Sequence, residues 1–226
     1  MPKPLDDEFI PEGSAPVAQP QQAPAGKLRR GWSAGQSVMD SGSNYTQALK
    51  LDSNTQIIKF LEDEPYAAFQ RHWIRRVSAN GNTVNRPYVC LESVGQNCPL
   101  CSALGDRPQA VSSFNVALIG DDGVPVLKTW DVGSRIFKAI LNFSKDSKFG
   151  PLTRGYYAVH KTGTGTQSQT NLLPIKSDAA LLDDYSVQPP TPESLSSLGL
   201  YDSSAITIPS LKELQEIVAE MSDDAY

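Results

Sequence analysis

The chain is expected to be mainly β: a small barrel with a metal-bearing insertion, a flexible arm before it and an acidic tail after it. Three observations predict this. Short β-branched and aromatic runs alternate with turn residues through 55–176, enough for about seven strands and one helix. Four of the five His and Cys residues of the chain fall in one 30-residue window of that stretch, as His72, Cys90, Cys98 and Cys101. Charge is segregated along the 226 residues.

Residues 1–54 read as an arm. Pro11 to Gly26 is Pro-, Ala-, Gln- and Gly-rich and buries too little apolar surface to offset ordering, so disorder is expected there. A basic knot follows at Lys27-Leu28-Arg29-Arg30-Gly31-Trp32, and residues 33–54 look like a linker. Ile57 to Glu62 is the first strand candidate, stopped by Glu64-Pro65. Ala67–Val77 and Val84–Leu91 form a hairpin across Asn80-Gly81. A loop centred on Gly81 puts His72 opposite Cys90 and sends Arg71, Trp73 and Arg75 to the other face. Phe114–Ile119 and Val124–Val132 pair across Asp121-Asp122-Gly123, and Ser134–Phe143 is an amphipathic helix with Ile136, Phe137, Ile140 and Leu141 on its apolar side. Arg154–Lys161 and Thr170–Lys176 complete the core domain, 55–176. Residues 177–226 read as an acidic interaction tail, with a capping box at Ser210-Leu211-Lys212-Glu213 opening a short helix.

The H-x17-C-x7-C-x2-C pattern offers the four ligands that structural Zn²⁺ takes in tetrahedral geometry. Cys98-Pro99-Leu100-Cys101 is a turn that brings two sulfurs to one metal. Free thiols are the alternative, or a disulfide, which would strand one Cys of the three. Catalysis is not expected. A deaminase needs Glu two residues after its zinc-binding His, and Ile74 stands there. The second histidine, His160, sits alone in a strand. Gly163-Thr164-Gly165 lacks the G-K-[ST] ending of a phosphate loop.

Residues 59–176 hold 14 of the 20 Lys and Arg and 12 of the 18 aromatics, while 177–226 holds 10 acidic side chains and one basic one. Rings and cations alternate in Arg71/Trp73/Arg75, Arg86/Tyr88, Lys128/Trp130 and Arg154/Tyr156. On strands such i, i+2 pairs share a face. Cations there neutralise phosphates and rings stack on unpaired bases, the surface that single-stranded nucleic acid requires. Lys59, Arg135, Lys138 and Lys161 are expected to extend it. Phe60, Phe114 and Phe143 are assigned to the core. A different class of reading is a zinc-stabilised protein–protein adaptor or transcription-regulating factor, which needs no rings beside cations.

The run Ile57-Ile58-Lys59-Phe60-Leu61-Glu62-Asp63-Glu64-Pro65, with His72-Trp73, Pro87-Tyr88-Val89-Cys90-Leu91 and Cys98-Pro99-Leu100-Cys101, resembles the zinc-containing single-stranded-DNA-binding proteins of tailed bacteriophages. These are relatives of the T-even phage helix-destabilising protein. The resemblance covers about 55–176. It implies an OB-fold core with an inserted zinc subdomain, one structural Zn²⁺ on His72, Cys90, Cys98 and Cys101, and coating of single-stranded DNA in replication, recombination and repair. It further implies self-association on DNA and recruitment of replication or recombination proteins by the acidic tail, where Asp223, Asp224 and Tyr226 pair acid with an aromatic. The opening Met1-Pro2-Lys3-Pro4 has no apolar signal region, and no apolar run approaches the roughly 20 residues of a membrane span. A soluble protein in the cytoplasm of an infected bacterium, with no membrane partner, is the expectation.

Overall fold

Ile57 and Ile58 are adjacent in sequence and both buried, on opposite faces of one strand. Consecutive strand side chains point opposite ways, so both faces of the sheet must be covered here. The computed structural model describes residues 46–77 and 80–223. Two compact units divide the chain, Met1–Ser43 and Asn44–Tyr226, and the first lies outside the described residues. So do the expected disordered lead, the basic knot, Asp224 and Tyr226, together with the side chain of Asp223.

Seven antiparallel strands form the sheet: β1 Gln56–Phe60, β2 Ala67–Val77, β3 Thr83–Val89, β4 Gln109–Ile119, β5 Pro125–Gly133, β6 Tyr156–Thr162 and β7 Gln169–Ile175. Their order is β3-β2-β4-β1-β6-β7, with β5 on the other edge of β4. β4 takes β2 beside Gln109–Ser113 and β1 beside Val116–Ile119. The expected closed barrel is not formed: among the described residues no ladder joins β5 to β7. A short parallel bridge, Ala48 to Thr129, lies along the outer side of β5. The edge strands β3 and β7 carry Pro87 and Pro174, which cannot donate to a further strand.

One face packs Ile58, Phe60, Phe114, Val116, Trp130, Tyr157 and Val159 beneath helix α2, Ser134–Lys145, which contributes Ile140. Phe60 meets Phe114 and Tyr157 edge-on, with ring centroids 5.4 and 5.0 Å apart. The opposite face packs Ile57, Ala117, Ile119, Tyr156, Ala158 and Ile175. Its cover comes from beyond residue 176. Helix α3, Asp178–Tyr185, supplies the fully buried Leu181, Val187 follows it, and α4, Pro192–Ser196, adds the partly buried Leu195. Residues 177–223 are therefore not a free appendage. They wrap the sheet and end in α5, Leu211–Asp223, whose first turn is capped by Ser210 Oγ accepting from Glu213 N at 3.2 Å.

The β2–β3 hairpin is registered two residues away from expectation. Val77 pairs with Thr83, which centres the turn on Asn80, so His72 faces Tyr88 and not Cys90. A two-residue shift preserves side-chain parity, whereas one residue would have reversed every face. His72 and Cys90 thus remain on one side, with Cys90 just past the strand end and its N–H donating to Gln70 O at 2.8 Å.

Candidate metal centre and basic surface

Cys90 opens a single 3-10 turn, Leu91–Val94, closed by Gly95 at φ 75°. Cys98 precedes the four-residue helix α1, Pro99–Ser102, with Pro99 at its first position, where a missing N–H costs nothing. These two turns return three sulfurs to the His72 side of β2. The four ligand atoms all lie within 4.8 Å of one another. Cys90 Sγ is 3.6 Å from Cys101 Sγ, and His72 Nε2 is 3.5 Å from both Cys98 Sγ and Cys101 Sγ. Tetrahedral bonds of about 2.3 Å to sulfur and 2.0–2.1 Å to nitrogen require separations of about 3.8 and 3.6 Å. The donor set therefore fits a tetrahedral metal ion. A disulfide needs sulfurs about 2.05 Å apart, and all three cysteines are free thiols.

His72, Cys90 and Cys98 are fully buried, and Cys101 is partly exposed. His72 Nδ1–H donates to Asp106 Oδ2 at 2.6 Å, which fixes the tautomer and turns Nε2 toward the sulfurs. Burial pushes the Cys90 and Cys101 thiols up. Burial acts the same way on Cys98, but hydrogen bonds from the backbone of Cys101, Leu91 and Leu100 outweigh it and hold that thiol below its ordinary value. Asp106 was not singled out in sequence; an acid five residues past Cys101 was the only signal. Ile74, Leu91, Leu100, Leu214 and Ile217 form the apolar shell.

On the outward face of the hairpin Trp73 is 46% exposed. It stands between the exposed Arg75 and the partly buried Arg71, whose guanidinium lies 5.8 Å from the Trp73 ring centroid and pairs with Asp131 at 2.5 Å. Arg86 is exposed on the His72 side. Its predicted face-mate Tyr88 is half-buried against the apolar cluster around Cys90 and Cys98, its hydroxyl accepting from Arg76 Nη1 at 3.2 Å. Trp73 and Tyr88 therefore face opposite ways.

Three predicted contact residues are corrected. Trp130 is buried beneath α2, because it shares its face with Phe114 and not with solvent. Its neighbour Lys128 reaches the sheet edge and donates to Gln47 Oε1 at 2.8 Å. Tyr156 is buried under α3, with its hydroxyl donating to Asp178 Oδ1 at 2.8 Å. Arg154 is exposed but lies in a 3-10 turn before β6, so strand parity with Tyr156 does not apply. Lys59 is half-buried over the Tyr156 ring and donates to Thr153 O at 2.7 Å and Gly155 O at 3.2 Å. Burial lowers its ammonium below the usual value, against the pull of Asp178.

Arg135, Lys138 and Lys161 are exposed. Arg135 donates to Gln169 Oε1 at 3.1 Å, and Gln169 pairs with Thr162, the residue after Lys161 at the end of β6. A row of polar side chains, Ser113, Asn115, Thr129 and Asp131, lies across β4 and β5: Asn115 Nδ2 donates to Tyr201 O at 2.8 Å, and Tyr201 N donates back to Asn115 Oδ1 at 3.0 Å. A cavity of about 280 Å³ separates Arg71 and Val89 from Ile206 and Pro209.

No helix among the described residues is long and apolar enough to cross a membrane. Compared with protein-family models, curated proteins and solved structures, the chain matches none of them.

Proposed function

We propose that this chain binds single-stranded DNA without sequence preference, as a zinc-stabilised coating protein and not an enzyme. The observation that carries the reading is the half-exposed Trp73 between Arg71 and Arg75, on a strand whose other face bears His72 of the ligand cluster. A ring that stacks on an unpaired base contributes about 1–3 kcal/mol whatever the base, and the flanking guanidinium groups meet the phosphates. Thiolates with one imidazole in tetrahedral array favour zinc among common metals. Bound there, zinc would act as a structural crosslink, and His72 would hold β2 against the Cys90 and Cys98–Cys101 turns.

Support for an OB-type core comes from the order β5-β4-β1-β6-β7 with α2 joining β5 to β6. That is the order of a five-stranded OB barrel opened between its third and fifth strands. Arg135 at the start of α2 reaches Gln169 of β7 across that opening. Roles in phage replication, recombination and repair follow from the resemblance at 55–176. So do self-association through the N-terminal arm and recruitment of replication or recombination proteins by the acidic C-terminal segment.

Tryptophan fluorescence tests the reading. Zinc-loaded protein titrated with poly-dT at low salt should be quenched, and Trp73→Phe should lose most of the quenching. No quenching, or a preference for duplex, overturns it. The adaptor reading is favoured by Leu182, Leu200, Ile208 and Leu211, which are 41–51% exposed along the C-terminal segment. An adaptor would keep its partner in Trp73→Ala and show no response to DNA.

A further inference from the structure

We propose that helix α5 is a structural part of the metal centre, so that metal binding and docking of α5 strengthen each other. Leu214 is 0% exposed and Ile217 2%, and both lie in the same apolar cluster as the ligands Cys90 and Cys98, with Ile74, Leu91 and Leu100. Val218 and Met221, from the same stripe of the helix, pack against it. Outside the cluster Arg76 of β2 ion-pairs with Glu220 at 2.5 Å, which ties α5 to the strand that carries His72.

The ligand-bearing turns have little structure of their own. One is a four-residue 3-10 turn and the other a four-residue helix, and neither belongs to the sheet. Cys90 N–H to Gln70 O anchors the first turn to β2. Gln70 N–H donates back to Ser93 Oγ at 2.8 Å, and beyond these two bonds Leu91 and Leu100 are held by the cluster they share with Ile74, the ligand cysteines and α5. Releasing the ligands removes the floor on which Leu214 and Ile217 sit. Removing α5 exposes Leu91 and Leu100 to water and frees the turn that presents Cys98 and Cys101. Two binding events that each complete the other's site are reciprocally linked.

Nor does α5 persist undocked. At 13 residues it is at the length where isolated helices are marginal in water. Its Lys212–Glu216 pair, 3.6 Å apart and largely exposed, adds little. Loss of metal therefore sets free an acidic segment whose apolar stripe had been hidden. The inference rests on the four ligands being a metal site and is independent of DNA binding; a chain that holds no zinc fails the first reading before α5 is tested.

The test uses the full chain loaded with zinc. Hydrogen exchange at the α5 amides is followed before and after zinc is stripped with a chelator. Expected is a loss of protection greater than tenfold in 214–222, with Val116, Ala117 and Ala158 in β4 and β6 unchanged. Unaltered protection of α5 in the stripped protein overturns the proposal. The reciprocal arm measures zinc affinity against a chromophoric chelator in Leu214→Ala/Ile217→Ala, expected to fall about 10- to 100-fold, the range seen when outer supports of a metal site are removed. Leu181→Ala, which deletes an equally buried side chain from the far face of the sheet, should change zinc affinity less than about twofold. If it weakens zinc as much as the double variant, the effect is general destabilisation and the proposal fails. Should the double variant not fold, the exchange measurement on the unmutated chain decides.

Discussion

Asp106 Oδ2 lies 2.6 Å from Nδ1 of the fully buried His72, so the one imidazole of the ligand cluster is held by a carboxylate that reaches solvent. This contact selects which ring nitrogen faces the sulfurs. Asp106→Ala should lower zinc affinity about 10- to 100-fold. Chelator competition measures this directly, and an affinity within twofold of the unmutated chain would mean that His72 is oriented by packing alone.

Zinc affinity should depend steeply on pH. Burial raises the Cys90 and Cys101 thiols in the metal-free chain, so both carry protons at neutral pH that the metal must displace. At least two protons are released, which implies at least about two decades of affinity per pH unit below the raised thiol values, with binding stronger as pH rises. Competition titrations between pH 6.5 and 7.5 would check the slope. A pH-independent affinity would exclude thiolate ligation by this pair.

The tryptophans should separate cleanly. Trp130→Ala removes a ring from the core beneath α2 and should cost about 3–5 kcal/mol in denaturant unfolding. Trp73→Ala removes a half-exposed ring and should leave stability within about 0.5 kcal/mol. The same variant should weaken single-strand binding by about 1–3 kcal/mol. The reverse pattern, with Trp130 mattering for DNA and Trp73 for folding, would refute the assignment of faces.

Lys59 tests the difference between a phosphate contact and a structural cation. Lys59→Ala leaves the Thr153 and Gly155 carbonyls without their shared donor and should destabilise by about 1–3 kcal/mol. The slope of log K against log salt should stay the same, because a phosphate contact would have contributed about 0.7 to it.

Deleting 177–226 should impair folding before it affects anything else. The cut removes Leu181, Val187, Leu214 and Ile217, and each buried aliphatic side chain contributes about 1.5–3 kcal/mol. The expected outcome is a marked fall in thermal stability and exposure of apolar surface to a hydrophobic dye. An unchanged melting temperature would mean that this segment is the appendage its charge suggests.

That last contrast shows where sequence reading stops. Ten acids and one base in 177–226 look like a solvated tail, yet Leu181, Leu214 and Ile217, spaced among them, complete two cores. Strand positions were legible from turn residues and β-branched runs, and β6 and β7 lie within two residues of their expected bounds. Lys128 and Trp130, two residues apart on β5, share a face, but which element covers that face is not written in the alternation. Both faces of this sheet are covered, so parity alone could not distinguish core from surface.

The amino-acid order alone picked out the four side chains that could hold a metal ion, because four soft or borderline donors at that spacing have few other uses, and metal chemistry depends on atom types and short loops. Only the tertiary structure decided which rings meet water, that Asp106 orients His72, and that the acidic C-terminus is built into the fold. Those depend on contacts between residues far apart in the chain, where burial of apolar area outweighs local composition.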